Sequence, residues 1–133
     1  PDLAIVVDVC HADSAEAEKE LTQKIGGGPS VSLGPTFSKK FTGKLIDFAD
    51  DENIPYQTII EASGRGTEAY ATQVSKCGIP SMLISIPLKY MHTPVEMVNK
   101  KDIVAVGRLI ARFISSLSDN DLRQEEPSWM LKF

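Results

Sequence analysis

Leu3-Ala4-Ile5-Val6-Val7-Asp8-Val9-Cys10-His11 is a nearly continuous, β-branched apolar run that ends on a carboxylate, a thiol and an imidazole. Apolar residues at successive positions suit a strand buried on both faces, the situation of a sheet with helices packed above and below it. Three later segments repeat the pattern: Ser30–Leu33, Tyr56–Ala62 and Pro80–Pro87. Between them the period changes. Phe37, Phe41, Leu45 and Phe48 fall on one helical stripe, predicting a helix from about Thr36 to Asp50 with Thr36 or Ser38 as its cap. Thr67–Lys76 predicts a second helix stopped by Gly78. Lys101–Leu117 predicts a third, with Ile103, Val106, Ile110, Phe113, Ile114 and Leu117 on one face. Strands alternating with helices imply crossover connections. The expected fold class is therefore α/β, a three-layer α/β/α sandwich with a mostly parallel sheet.

The remaining segments are connections. Asp13–Lys24, rich in Glu and Ala, reads as a solvated loop or a short surface helix, and Gly26-Gly27-Gly28-Pro29 breaks the chain after it. Neither an internal repeat nor a low-complexity tract is present. At 133 residues, 42% apolar and 24% charged, the composition is that of one globular domain with a real core. The net charge of -4, from 18 acidic and 14 basic residues, argues against a nucleic-acid or anionic-membrane surface. No apolar run approaches the ~18 residues needed to span a bilayer, and no signal peptide is evident. Cys10 and Cys77 are too few for a disulfide framework and lack metal-knuckle spacing, so a reducing, cytosolic compartment is the expectation. The abrupt start at Pro1, with no initiator Met before a core strand, leads us to expect a cut or processed first residue.

In parallel sheets, ligands bind beyond the C-terminal ends of the strands, which brings Asp8–His11, Ser63–Thr67 and Lys89–Pro94 together. Asp8 at a buried strand end is costly unless a cation or several donors meet it. His92, in Tyr90-Met91-His92-Thr93-Pro94, adds an imidazole, so the pair offers donor types accepted by Zn²⁺, Co²⁺ or Mn²⁺. The alternatives stay open: Asp8 as the cap of a turn, and His92 as the donor of one structural hydrogen bond. Ser63-Gly64-Arg65-Gly66-Thr67 could hold an anion on backbone N–H groups, or serve as a tight turn; it is not a P-loop. Cys10 and His11 are neighbours on a strand and point apart, which gives nucleophilic catalysis little support. His11 itself either faces the site or only shapes the loop. Glu68 and Glu96 are candidates for supporting roles, or surface carboxylates.

Taken in order, several short motifs carry a resemblance: Val7-Asp8-Val9-Cys10-His11-Ala12, Lys24-Ile25-Gly26-Gly27-Gly28-Pro29, Ile54-Pro55-Tyr56-Gln57, Gly64-Arg65-Gly66-Thr67-Glu68-Ala69, Gly78-Ile79-Pro80, and Tyr90-Met91-His92-Thr93-Pro94-Val95-Glu96. The sequence resembles the M42 family of metallo-aminopeptidases, older members of which were called cellulases or endoglucanases. The resemblance implies two divalent metal ions, zinc with cobalt or manganese as alternatives, at the edge of the sheet. It places one metal ligand on Asp8 and another on His92, each serving a different ion. His11, Gly66, Thr67, Glu68 and Glu96 would flank the substrate or the ligands. It further implies a short peptide substrate and either homo-oligomerisation or association with an N-terminal part. Residues 1–118 would be the C-terminal part of a catalytic domain, incomplete relative to the parent fold, and residues 119–133 a tail. The family's other ligands, its general base and its dimerisation domain match nothing here, so no catalytic residue is expected within this chain. Cys10 stands where Thr is commoner, Glu68 where Asp is, and Lys89 where Arg is. The leading expectation is thus part of a dinuclear-metal aminopeptidase, inactive alone. The alternative is a truncated, non-catalytic relative that acts as an association partner, with Trp129–Phe133 as a docking segment.

Overall fold

The computed structural model describes residues 1–14, 22–62 and 67–122. The first strand, β1 (Ala4–His11), pairs in parallel with β4 (Ser81–Lys89) over eight positions, from Ala4 opposite Ser81 to His11 opposite Leu88. β2 (Ser30–Leu33) lies on the other side of β4, antiparallel to it, and β3 (Gln57–Ile60) extends the sheet in parallel with β2. A two-residue β5 (Met97–Val98) returns antiparallel to the end of β4. The long ladders are parallel, as the alternation of strands and helices implies. The antiparallel contact of β2 with β4 makes the sheet mixed: two parallel pairs run in opposite directions.

Strand parity sorts the side chains onto two faces. Met82 and Ile84 of β4 join Val31 of β2 and Ile5 of β1 in the main core. That core is closed by α1 (Lys39–Asp51) through Phe41, Leu45 and Ala49, and by α3 (Lys100–Ser116) through Val106, Leu109 and Phe113. Phe48 meets Phe113 edge to face at 6.0 Å between ring centres, a preferred aromatic geometry. On the opposite face, Leu83 and Val6 pack with Phe37 and with Ala69 of α2 (Glu68–Gln73). Helices on both faces make the three layers. A short α4 (Asp119–Leu122) brings Leu122 to the main core and pairs Asp121 with Lys44. The element bounds follow the sequence closely at Ser30–Leu33, whereas the second helix is shorter than its pattern and α1 begins later, capped by Ser38, whose hydroxyl accepts from the Phe41 N–H. The segment read as loop or surface helix over Asp13–Lys24 lies largely outside the described residues, as does Trp129–Phe133. No helix among the described residues is long and apolar enough to cross a membrane.

One buried charge ties the layers together. Asp102, in the first turn of α3, is 1% exposed. Its Oδ2 accepts from the Gly26 N–H at 2.8 Å and its Oδ1 from the Gly28 N–H at 3.0 Å. The glycine loop can approach this closely because Gly28 holds a left-handed backbone with φ 88°, and a Cβ there would meet the Pro55 carbonyl oxygen at 2.4 Å.

Replacing Asp102 by Ala strands the buried Gly28 N–H and frees that of the exposed Gly26. A buried unsatisfied donor costs about 1–3 kcal/mol, so Asp102→Ala is expected to lose about 1–3 kcal/mol of stability. Urea unfolding followed by circular dichroism measures this, and a loss below about 1 kcal/mol would show that the clamp does not hold the loop.

Candidate functional site

A cavity of about 320 Å³ lies over the α2 side of the sheet. Its floor follows from strand parity: Asp8 and Cys10 share a face with Val6, Ser85 shares one with Leu83, and Ile59 and Glu61 come from β3 and its end. Thr67, the cap position of α2, closes one side, and Met91 and His92, just past β4, close another. Val9 and His11 complete the rim at the end of β1. Of the segments expected to converge, Asp8–His11, Thr67, Met91 and His92 line this cavity, over the face of the sheet, whereas residues 63–66 lie outside the described residues.

Asp8 stands directly opposite Ser85 in the parallel register, and its Oδ1 accepts from the neighbouring Val9 N–H at 2.8 Å. His92 is exposed and sits on a left-handed backbone with φ 64°, two residues after Tyr90 at φ 57°. Such conformations cost of order 1–3 kcal/mol for residues with a Cβ and persist only where the surroundings hold them. Here the Thr93 hydroxyl donates to the Tyr90 carbonyl at 2.6 Å, the Thr93 N–H donates to the same oxygen, and Glu96 Oε1 accepts from the His92 N–H at 2.7 Å. Glu96 thus touches His92 through the backbone and stays outside the cavity. Glu68 is exposed on α2 and does not line the cavity either. Gly66 lies outside the described residues, with Ser63, Gly64 and Arg65.

Carboxylate and imidazole suit a divalent ion of borderline softness, so Asp8 and His92 fit as two members of a ligand set. Among the described residues no group of three or more His, Cys, Asp or Glu is placed to hold a metal ion. Two ligands do not close a four-coordinate site. A larger cleft of about 480 Å³ beside Pro55 and α3 is a poorer candidate: its buried ionisable group, Asp102, spends both oxygens on the glycine loop.

The residue that pattern reading missed is Glu61. It is 9% exposed and its Oε1 accepts from the Ser32 hydroxyl at 2.8 Å. Its backbone is pressed against β2: the Glu61 N–H donates to the Leu33 carbonyl, and a Cβ on Gly34 would lie 2.1 Å from the Glu61 carbonyl oxygen. The available signal was parity, since Glu61 lies two residues beyond Ile59 and so shares the inward face.

Compared with known proteins, residues 1–109 match the family described as M42 glutamyl aminopeptidase. The lysyl aminopeptidase of Pyrococcus furiosus is 26% identical over 121 residues, covering 91% of this chain and 35% of that protein. An aminopeptidase of the archaeon Desulfurococcus kamchatkensis superposes with a TM-score of 0.84 at 29% identity, over 92% of this chain and 36% of that one. A further structure, solved as a dodecamer, matches with a TM-score of 0.69 at 26% identity, over 88% of this chain and 34% of that one. The chain spans about a third of the length of these relatives.

Burial pushes the Cys10 thiol up to about 11, outweighing the nearby Ser30 hydroxyl, and the carboxylates of Glu61 and Asp8 push in the same direction. The reactive species of cysteine is the thiolate, so Cys10 stays protonated and inert near neutral pH, whereas Cys77 is exposed. Iodoacetamide at pH 8, followed by peptide mapping, is expected to label Cys77 and spare Cys10 until the protein is unfolded. Labelling of Cys10 in the folded chain at a rate comparable to Cys77 would show a reactive thiol in the cavity.

Proposed function

Because the chain belongs to the M42 glutamyl aminopeptidase family, we propose that it is the ligand-bearing part of a dinuclear-metal aminopeptidase that removes N-terminal residues from short peptides. The observation that carries this reading is the meeting of Asp8, His11 and His92 on one cavity, in a chain whose motifs follow the family order. Asp8 and His92 would hold different ions of a zinc pair, with cobalt or manganese as alternatives. Bound there, the ions supply Lewis acidity toward a peptide carbonyl and a water.

The chain's own residues prepare that chemistry. Val9 fixes the rotation of the Asp8 carboxylate through its N–H. Glu96 and Thr93 lock the Tyr90–Val95 turn, so that the imidazole of His92 is presented without a search through loop conformations. His11 and Thr67 flank the space left for substrate. The remaining ligands and the general base would come from the rest of a full-size protein. A cytosolic setting agrees with two free cysteines.

Association is part of the proposal. Val7 and Val9 on β1 and Ile103 and Ile114 on α3 leave apolar side chains exposed, and β4 is the strand paired with β1 among the described residues, the other edge of β1 meeting Gln23 at the His11 end. Edges of this kind recruit a further strand or a partner. Either the remainder of a full-size protein or a second copy would cover them. Sedimentation over a concentration series is expected to show association of the 133-residue chain; a monomer throughout would count against it.

Two ligands bind a metal weakly. Titration of the chain with Co²⁺, read by visible absorption, is expected to show weak binding that Asp8→Ala and His92→Ala each abolish. Aminoacyl-anilide cleavage by the chain alone is expected to be undetectable. Binding untouched by both substitutions would remove the ligand assignment, and robust cleavage lost on Asp8→Ala would show that the chain needs nothing more.

A further inference from the structure

We propose that the cleft between α3 and the turn after α1 is a docking site for an acidic peptide segment, one that carries an apolar side chain between its carboxylates. This does not depend on the aminopeptidase reading: the cleft, of about 480 Å³, lies in the α1–α3 layer, whereas the cavity of Asp8 and His92 lies over the α2 side of the sheet. Lys100, Lys101 and Arg108 line one wall, and Arg112 continues the row one turn further on. Positions 100, 104, 108 and 112 are four apart, so they form one stripe of α3 roughly 18 Å long. The helix carries four basic residues and a single acid, the buried Asp102, in a chain whose net charge is -4. Among the described residues, the two carboxylates lining the cleft serve the fold itself. Asp102 accepts from the Gly26 and Gly28 N–H groups, and Glu52 pairs with Arg112.

Lys100 and Lys101 do nothing for the helix they begin. They occupy its first turn, where the macrodipole and the unpaired N–H groups favour anions and disfavour cations. A negatively charged segment lying across this turn converts that repulsion into attraction. The cleft also has an apolar anchor point. Ile54 and Pro55 line it, and Val104, 69% exposed, stands on the stripe between Lys100 and Arg108. An apolar hollow rimmed by cations matches an aliphatic side chain with acidic neighbours: the side chain supplies burial, and the charges supply orientation. A lipid surface is flat and would reach the lysines without filling the hollow.

The test is an NMR titration of the 133-residue chain with acetyl-Glu-Glu-Leu-Glu-Glu-amide, whose blocked N-terminus keeps it from being an aminopeptidase substrate. Comparison peptides replace every Glu by Gln, or the Leu by Gly. At low salt the acidic leucine peptide is expected to shift the amides of Ile54, Val104 and Ala105, and to bind roughly tenfold or more tightly than either comparison peptide. Lys100→Glu combined with Lys101→Glu should abolish binding, and acids in the first turn favour the helix, so this variant keeps its fold. Val104→Ser, at an exposed position, should erase the advantage of leucine over glycine. Equal binding of the Gln peptide or of the Gly peptide would overturn the inference, as would shifts confined to the cavity over α2, or no shifts. Pelleting with phosphatidylserine vesicles by a chain that ignores the peptide, lost in the double variant, would assign the stripe to a lipid surface and overturn peptide docking as well. Each of these results leaves the aminopeptidase reading untouched.

Discussion

The parallel ladder between β1 and β4 is the constraint on which the rest of the molecule depends. β4 is buried along most of its length and is the one strand that bonds to β1, β2 and β5. Its parity divides the molecule, with Met82 and Ile84 facing the α1–α3 layer and Leu83 facing α2. Because the period of a strand is two, a slip of one residue against β1 would turn Asp8 toward α1 and α3 and bury Val7 and Val9 on the cavity side. Register is therefore a functional quantity here as much as a structural one. Eight consecutive pairs, several of them between apolar residues that each have a core to fill, hold it in place.

Asp102 performs a comparable task between layers. Hydrophobic burial gives α3 its orientation but no fixed height along its axis; a carboxylate bonded to two backbone N–H groups of the Gly26–Gly28 loop supplies that height. The loop in turn leads straight into β2, with Gln57 bonded back to the backbone of Lys24. A directional, buried interaction thus sets the starting point of the strand whose Ser32 holds Glu61.

Much of this was legible in the sequence, and the reasons are physical. The four principal strands and three longer helices announce themselves because β-branched runs and 3.6-residue stripes are strong local signals. Asp8 and His92 stood out because strand ends carry chemistry in α/β folds. The antiparallel seam between β2 and β4 was not legible, since pairing direction is a property of two distant segments and leaves no local trace. The short β5 and α4 fall below the length at which periodicity speaks. Glu61 escaped for a different reason: in a run read as an apolar strand, a single carboxylate looks like the turn that follows, and only the parity shared with Ile59 marks it as inward-facing. The cavity's lining was thus foreseeable where residues sit in a motif at a strand end, and not where it depends on which way a lone side chain points.

The crowding of Gly34 against the Glu61 carbonyl has a consequence for how this pocket can change over generations. Any side chain at position 34 would drive the end of β3 away from β2, because 2.1 Å leaves no room for a carbon. The carboxylate would move with the backbone. A substitution at position 34 therefore displaces the backbone at position 61 whatever side chain stands there. A lineage, or a mutagenesis library, that varies the residues of this cavity keeps its walls in place only while it holds that glycine.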